Sequence, residues 1–186
     1  AIFEAGIALP GEMQRLQHII DPDIGILTNI GQAHDENFGS LREKLVEKLK
    51  LFVQSKTLIY CKDLLLVSEV ITESNMLPKE VKLFTWSRKL KADLQVGRIT
   101  KSSHETEIQG IYQNDFLKIK IPFTDEASVE NAIHCWALML HLGYDNDTIA
   151  ERMELLSPVA MRLELKEGVN NCTIINDSYN SDLGSL

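Results

Sequence analysis

An α/β fold is predicted for this sequence: a mainly parallel sheet flanked by helices, with a small antiparallel β subsheet. Three observations predict it. Short apolar runs alternate with segments of helical apolar spacing up to about residue 86, strict polar–apolar alternation takes over from about Asp93 to Phe123, and helical spacing returns near residue 128. Strands that alternate with helices are parallel and covered on both faces, whereas alternating runs joined by tight polar turns pair antiparallel.

Residues 1–4 and 24–28 (IGILT) are apolar runs, and MQRLQHII between them places Met13, Leu16, Ile19 and Ile20 at helical spacing, which makes a βαβ unit. A helix from about Leu41 to Ser55, a strand at 57–61 (TLIYC), a helix at about 63–71 and a strand at 81–86 (VKLFTW) continue the series. DLQVGRIT, ETEIQGIY and FLKIKIPF, separated by SSH and QND turns, form the antiparallel part. A helix at about 128–142 carries an apolar stripe of Ala132, Cys135, Trp136 and Met139, and one at about 147–156 carries Ile149, Met153 and Leu156. Ser157-Pro158 is a break. LELKEG and CTIIND then form a β pair that leads into SYNSDLGSL, read as the start of another α/β domain. The expected division is therefore 1–158 and 159–186.

Composition narrows the function. A chain of 186 residues holds one full domain and at most a piece of a second. With 44% hydrophobic and 25% charged residues it has the makings of a core, which excludes a disordered tail or a collagen. Nineteen Lys and Arg against 27 Asp and Glu give a net charge of −8, so duplex nucleic acid is excluded as a partner and any phosphate ligand has to be met locally with a divalent cation. No apolar run reaches the roughly 20 residues that cross a bilayer, and no basic segment with a cleavage site opens the chain, so no membrane insertion is expected. Cys61, Cys135 and Cys172 are odd in number and lack a CxxC pair, which supports neither a disulfide framework nor a zinc knuckle; a cytoplasmic setting is expected. AIFEAG at the start and SDLGSL at the close read as elements cut from a longer chain.

In GIALPGEM, Gly6 and Gly11 have the spacing of a phosphate-binding loop, but Glu12 stands where that loop needs lysine. There is no GxGxxG either, so no self-contained phosphate cradle is expected. Glu4 is placed at the end of the first strand, Thr28-Asn29 at the end of the next, and His34 a few residues beyond. Ligands of open α/β sheets bind outside the carboxyl ends of the strands, where a carboxylate and an imidazole can hold a divalent metal, Mg²⁺ if the other ligands are oxygens. Winding residues 41–55 as a helix puts Leu41, Leu45, Leu49 and Phe52 on one face with Lys48 inside that stripe. Burial lowers the pKa of an amine and leaves it neutral, fit to act as a nucleophile, a Schiff-base former or an acceptor of CO₂. The alternative for Lys48 is a snorkelling stem, as expected of Lys44 one turn earlier.

EAGIALPGEMQRLQHIIDPDIGILTNIGQAHDENFGS, followed by Lys48 fourteen positions after His34, resembles the central ATPase domain of the Mur ligases, ATP-dependent amino-acid-adding enzymes of peptidoglycan precursor synthesis. The phrasing of GEM and TNIGQAH is most similar to members that add D-alanyl-D-alanine to UDP-N-acetylmuramoyl-tripeptide. The close, MRLELKEGVNNCTIINDSYNSDL, resembles their passage into the C-terminal domain, particularly in forms fused to an alanine racemase. The resemblance covers essentially the whole chain. It implies ATP and Mg²⁺ as cofactors, with Glu4 and His34 as metal ligands and Lys48 as a lysine carrying a CO₂-derived carbamate that completes the metal site. It further implies that Asn131 contacts adenine, Arg162 approaches the γ-phosphate and Asp177 binds ribose, with Asn29 in the nucleotide-contacting set. Lys48, His34 and Arg162 are then the catalytic residues. Ser128 stands where the family often has a second Asn, and Met161 where it usually has Gly or His. The family's P-loop has no counterpart within the 186 residues, so the chain by itself is expected to be inactive. Rival readings are another ligase of the superfamily, a folylpolyglutamate synthase, or a noncatalytic α/β interaction module.

Overall fold

The computed structural model describes residues 1–31, 37–73, 76–157, 159 and 164–176. Helix α1 (Glu12–Ile20) leads to strand β1 (Ile24–Leu27), helix α2 (Leu41–Leu49) with a 3-10 turn (Lys50–Phe52), strand β2 (Thr57–Cys61), helix α3 (Leu65–Glu73) and strand β3 (Lys82–Ser87). Strands β4 (Leu94–Lys101), β5 (Thr106–Tyr112) and β6 (Asp115–Ile121) follow, then helices α4 (Glu126–His141) and α5 (Asn146–Glu154) and a hairpin of β7 (Glu164–Glu167) and β8 (Thr173–Asn176).

One six-stranded sheet has the order β1-β2-β3-β4-β5-β6, parallel through β4 and antiparallel from β4 to β6. The antiparallel strands thus extend the parallel sheet through the Trp86↔Leu94 and Ser87↔Gln95 pairs. β7 and β8 pair separately, Glu164 opposite Asn176.

Period-2 alternation sorts the strands between two cores. Ile59, Cys61, Phe84 and Trp86 face a core closed by α4 and α5, whereas Leu27, Leu58 and Tyr60 face one closed by α1, α2 and α3. Gly25 lets the second core come close to the edge strand: a Cβ there would stand 2.3 Å from the Phe52 ring. The side chains of Ser40, Asp125 and Asp145 accept N–H bonds from Glu43, Ser128 and Thr148 and so start α2, α4 and α5.

Several expectations are corrected. Residues 1–7 form no strand, and Ile2 and Phe3 are exposed, because an apolar run becomes a strand only where a neighbour supplies its ladder and none of the described residues does so. The helix expected at 41–55 tightens after Leu49 into the 3-10 turn that buries Leu51 and Phe52. In α1, Gln17 is buried and Ile19 exposed, since positions 13, 16, 17 and 20 share the inner face. For the same reason Val129, Ala132, Ile133, Trp136, Ala137 and Leu140 form the stripe of α4, and Cys135 is exposed. Leu41 is also exposed.

Candidate functional site

Because β1, β2 and β3 are parallel, their carboxyl ends, at Leu27, Cys61 and Ser87, share one edge of the sheet. β6 runs in the same direction, being antiparallel to β5 as β4 is, and its end lies several residues beyond the level of the β3 end. An ion pair between Arg88, just past β3, and Glu126, in the first turn of α4, ties the two together. Asn29, two residues past β1, and Asn131, in the second turn of α4, therefore belong to one rim, and both are exposed.

The rim's loops are held by specific bonds. Asp63, past β2, accepts from the Ser87 hydroxyl and, at 2.8 Å, from the Arg88 N–H. The Nε and Nη2 atoms of Arg88 are buried and have no hydrogen-bond partner among the described residues. His134, on the inner side of α4, accepts at Nδ1 from Trp86 Nε1 at 3.1 Å. Burial pushes its pKa down to about 4, against a smaller upward pull from the Thr28 backbone.

On the other face, Lys48 of α2 is half-buried. Burial first, and the Lys44 charge second, hold its amine below the ordinary lysine range. Among the described residues Lys48 has no hydrogen-bond or ion-pair partner, which leaves its amine available for chemistry. Lys44 does not snorkel: it is 3% exposed, and its Nζ donates to the Gly31 carbonyl at 2.6 Å. An inward carbonyl, not an apolar surface with water beyond it, decides where that stem goes. Buried Glu47 accepts from Gly11 N at 2.7 Å and from Lys50 Nζ at 2.6 Å.

The loop before α1 shows why GIALPGEM is no phosphate cradle. Glu12 Oε2 accepts from Ala8 N at 2.7 Å and Leu9 N at 2.9 Å, so a carboxylate of the chain itself occupies the N–H groups an anion would use. Gly11, at φ 90°, makes the left-handed turn into the helix.

Of the residues singled out in the sequence, Glu4 is exposed within the unpaired residues 1–7, Asn29 and Asn131 share the rim, and Lys48 lies on the α1/α2 face. His34, Arg162 and Asp177 lie outside the described residues. Among the described residues no group of three or more His, Cys, Asp or Glu is placed to hold a metal ion, and no hydrogen bond or ion pair links Glu4 to Lys48. Sequence reasoning passed over His134, Glu47 and Arg88. The signal for His134 was a lone histidine inside the apolar run AIHCWALML. Nothing in the sequence marks Arg88, which depends on the β3–α4 contact.

Comparison with known proteins adds to this geometry. Residues 1–139 match the family model described as Mur ligase middle domain. The chain is 29% identical over 191 aligned positions to the UDP-N-acetylmuramoyl-tripeptide–D-alanyl-D-alanine ligase of Bacillus subtilis, covering 100% of this chain and 39% of that protein. It is 30% identical to the enzyme of the same description from Borreliella burgdorferi, again over 100% of this chain and 39% of the relative. Its fold matches a crystal structure of MurF from Acinetobacter baumannii with a TM-score of 0.82 at 22% identity, over 100% of this chain and 40% of that one. It also matches MurF ligase from Thermotoga maritima in complex with ADP, with a TM-score of 0.76 at 20% identity, over 96% and 40%. The chain thus spans about two fifths of the length of these relatives.

Proposed function

We propose, from the premise that this chain belongs to the Mur ligase middle-domain family, that it supplies the central part of a cytoplasmic ATP-dependent ligase joining D-alanyl-D-alanine to UDP-N-acetylmuramoyl-tripeptide. The observation that carries this reading is the alignment of all of this chain with two ligases so described. Residues 1–158 are read as the central domain and 159–186 as the opening of the C-terminal domain. ATP phosphorylates the tripeptide carboxylate, the dipeptide amine attacks the acyl phosphate, and the tetrahedral adduct expels phosphate to leave an amide.

The residues present fit a phosphate-bound cation only once Lys48 is modified. A half-buried amine of lowered pKa is more often neutral at physiological pH, and its lone pair adds to CO₂ with loss of a proton. The cation is thereby exchanged for a carboxylate-like oxygen donor, of the kind Mg²⁺ prefers. Glu4, His34 and the Lys48 carbamate would hold Mg²⁺, which when bound neutralises phosphate charge. Asn29 and Asn131 orient the nucleotide, Asp177 takes the ribose hydroxyls, and the fixed guanidinium of Arg162 receives the γ-phosphate. Catalysis of phosphoryl transfer is mostly positioning and charge stabilisation, and each of these residues is of a type suited to one of those tasks.

The test is phosphate release by the full-length protein carrying this chain, given ATP, Mg²⁺, UDP-N-acetylmuramoyl-tripeptide and D-alanyl-D-alanine. Release that requires both peptide substrates is expected. Release with a different amino acid acceptor, or none with any acceptor, overturns the reading.

A further inference from the structure

We propose that Lys44 is a positioning residue for nucleotide use: its buried ammonium pins the Gly31 carbonyl and so holds the segment after β1, with Asn29 in it, against α2. This rests on the ligase reading above, in which Asn29 contacts the nucleotide.

A lysine at position 44 carries a desolvation cost. It is 3% exposed, on the flank of α2 beside the fully buried Leu45. A methionine would fill the same space and bring no charge out of water. What lysine adds is a charge-assisted bond: Nζ donates to the Gly31 carbonyl at 2.6 Å, across thirteen positions of sequence. The helix that carries this ammonium is itself fixed. Leu45 and Leu49 lie in the second core, Glu47 accepts from Gly11 N at 2.7 Å ahead of α1, and Arg42 bonds Glu73 of α3 at 2.8 Å.

The segment held by Lys44 starts from a fixed point as well, since β1 ends at Leu27, paired with Tyr60 of β2. Thr28 and Asn29 are exposed, Ile30 packs against the second core, and Gly31 is exposed again. Gly31 is the residue with least to fix it: among the described residues nothing beyond its chain neighbours stands within 4 Å of where a Cβ would be, and a glycine backbone has the widest choice of φ and ψ. An exposed carbonyl can bond water in several directions, and the ammonium selects one. Asn29 is thereby held between two anchors, the Leu27–Tyr60 pair behind it and Ile30 with the Lys44–Gly31 bond ahead of it. A side-chain amide offers its donor and acceptor in one plane, so it serves a base edge only where its backbone is placed.

The test is binding of ADP without Mg²⁺ to the full-length protein, read by titration calorimetry; omitting the cation keeps metal binding at Lys48 out of the measurement. Asn29→Ala is expected to raise the Kd for ADP about fivefold, the scale of one hydrogen bond. Lys44→Met should raise it about threefold. Because Lys44 acts only through Asn29, adding Lys44→Met to Asn29→Ala should leave the Asn29→Ala value where it was. Should Lys44→Met not fold, Lys44→Gln, whose amide is too short to reach Gly31, is expected to give the same threefold rise. A Kd unchanged by substitution at either position, or effects at the two positions that multiply, overturns the inference and leaves the ligase reading standing. An unmutated protein that does not bind ADP overturns both.

Discussion

Two buried polar side chains reach inward from opposite faces of the sheet, by opposite means. From the α4 face a neutral imidazole, His134, accepts from Trp86 Nε1 at 3.1 Å. From the α1/α2 face an ammonium, Lys44, bonds the Gly31 carbonyl at 2.6 Å. The depths are alike, His134 and Lys44 at 3% exposure and Glu47 at 4%. On the α4 side the buried imidazole stays uncharged and bonded to Trp86, and on the α1/α2 side the buried charges of Lys44 and Glu47 each have a partner. The first should therefore answer to pH and the second to removal of charge.

The largest expected effect breaks the neutral side with acid. In the unfolded chain His134 titrates near its ordinary 6.5, but in the fold only at about 4. Between these values the unfolded state holds the extra proton, so stability is complete above pH 6.5, falls as pH drops, and stops falling for this group below about 4. A shift of that size corresponds to about 3 kcal/mol. Urea midpoints of the 186-residue chain, followed by tryptophan fluorescence, should show that loss, and His134→Gln should abolish the His134 share of it. An identical pH dependence in the variant would show that the ring is not held neutral by burial.

Next in size is the charged side. Glu47→Ala removes the acceptor for the half-buried Gly11 N–H and the partner of Lys50, whose side chain is 37% exposed. The expected cost is about 2 kcal/mol, below the range for a wholly buried pair because Lys50 can reach water. The same urea midpoints should give it. A loss under about 0.5 kcal/mol would mean that the left-handed turn at Gly11 holds without the carboxylate.

This contrast also marks how far the sequence could be read. Element 57–61 was legible as a short apolar run and 93–123 by polar–apolar alternation, both local properties, and the period of two in a strand sets which residues of TLIYC face which core. Lys48 was legible because a lysine inside an apolar stripe breaks a pattern that only seven or eight residues define. The fate of Lys44 was not, since snorkelling and inward bonding differ only in whether a carbonyl thirteen residues away lies within reach. The strand expected at 1–4 failed for a similar reason: a ladder partner is a tertiary fact. His134 drew no notice because its partner, Trp86, comes from a strand 48 positions distant in sequence.

The smallest expected effect sharpens the comparison most. Lys44→Met keeps the stem's volume and removes the charge. Gly31 is exposed, so its carbonyl can turn to water, and a loss of about 1 kcal/mol is expected. The effect on Lys48 is electrostatic. Lys44 is the second cause of the lowered Lys48 pKa, so removing that like charge should move the Lys48 amine up, while burial, the leading cause, keeps it below the ordinary 10.5. A ¹⁵N NMR titration of the Lys48 amine reads this directly. His134→Gln, acting on the opposite face, should leave the same titration where it was. A Lys48 midpoint that moves with His134→Gln and not with Lys44→Met would mean that the two faces are not separate electrostatic environments.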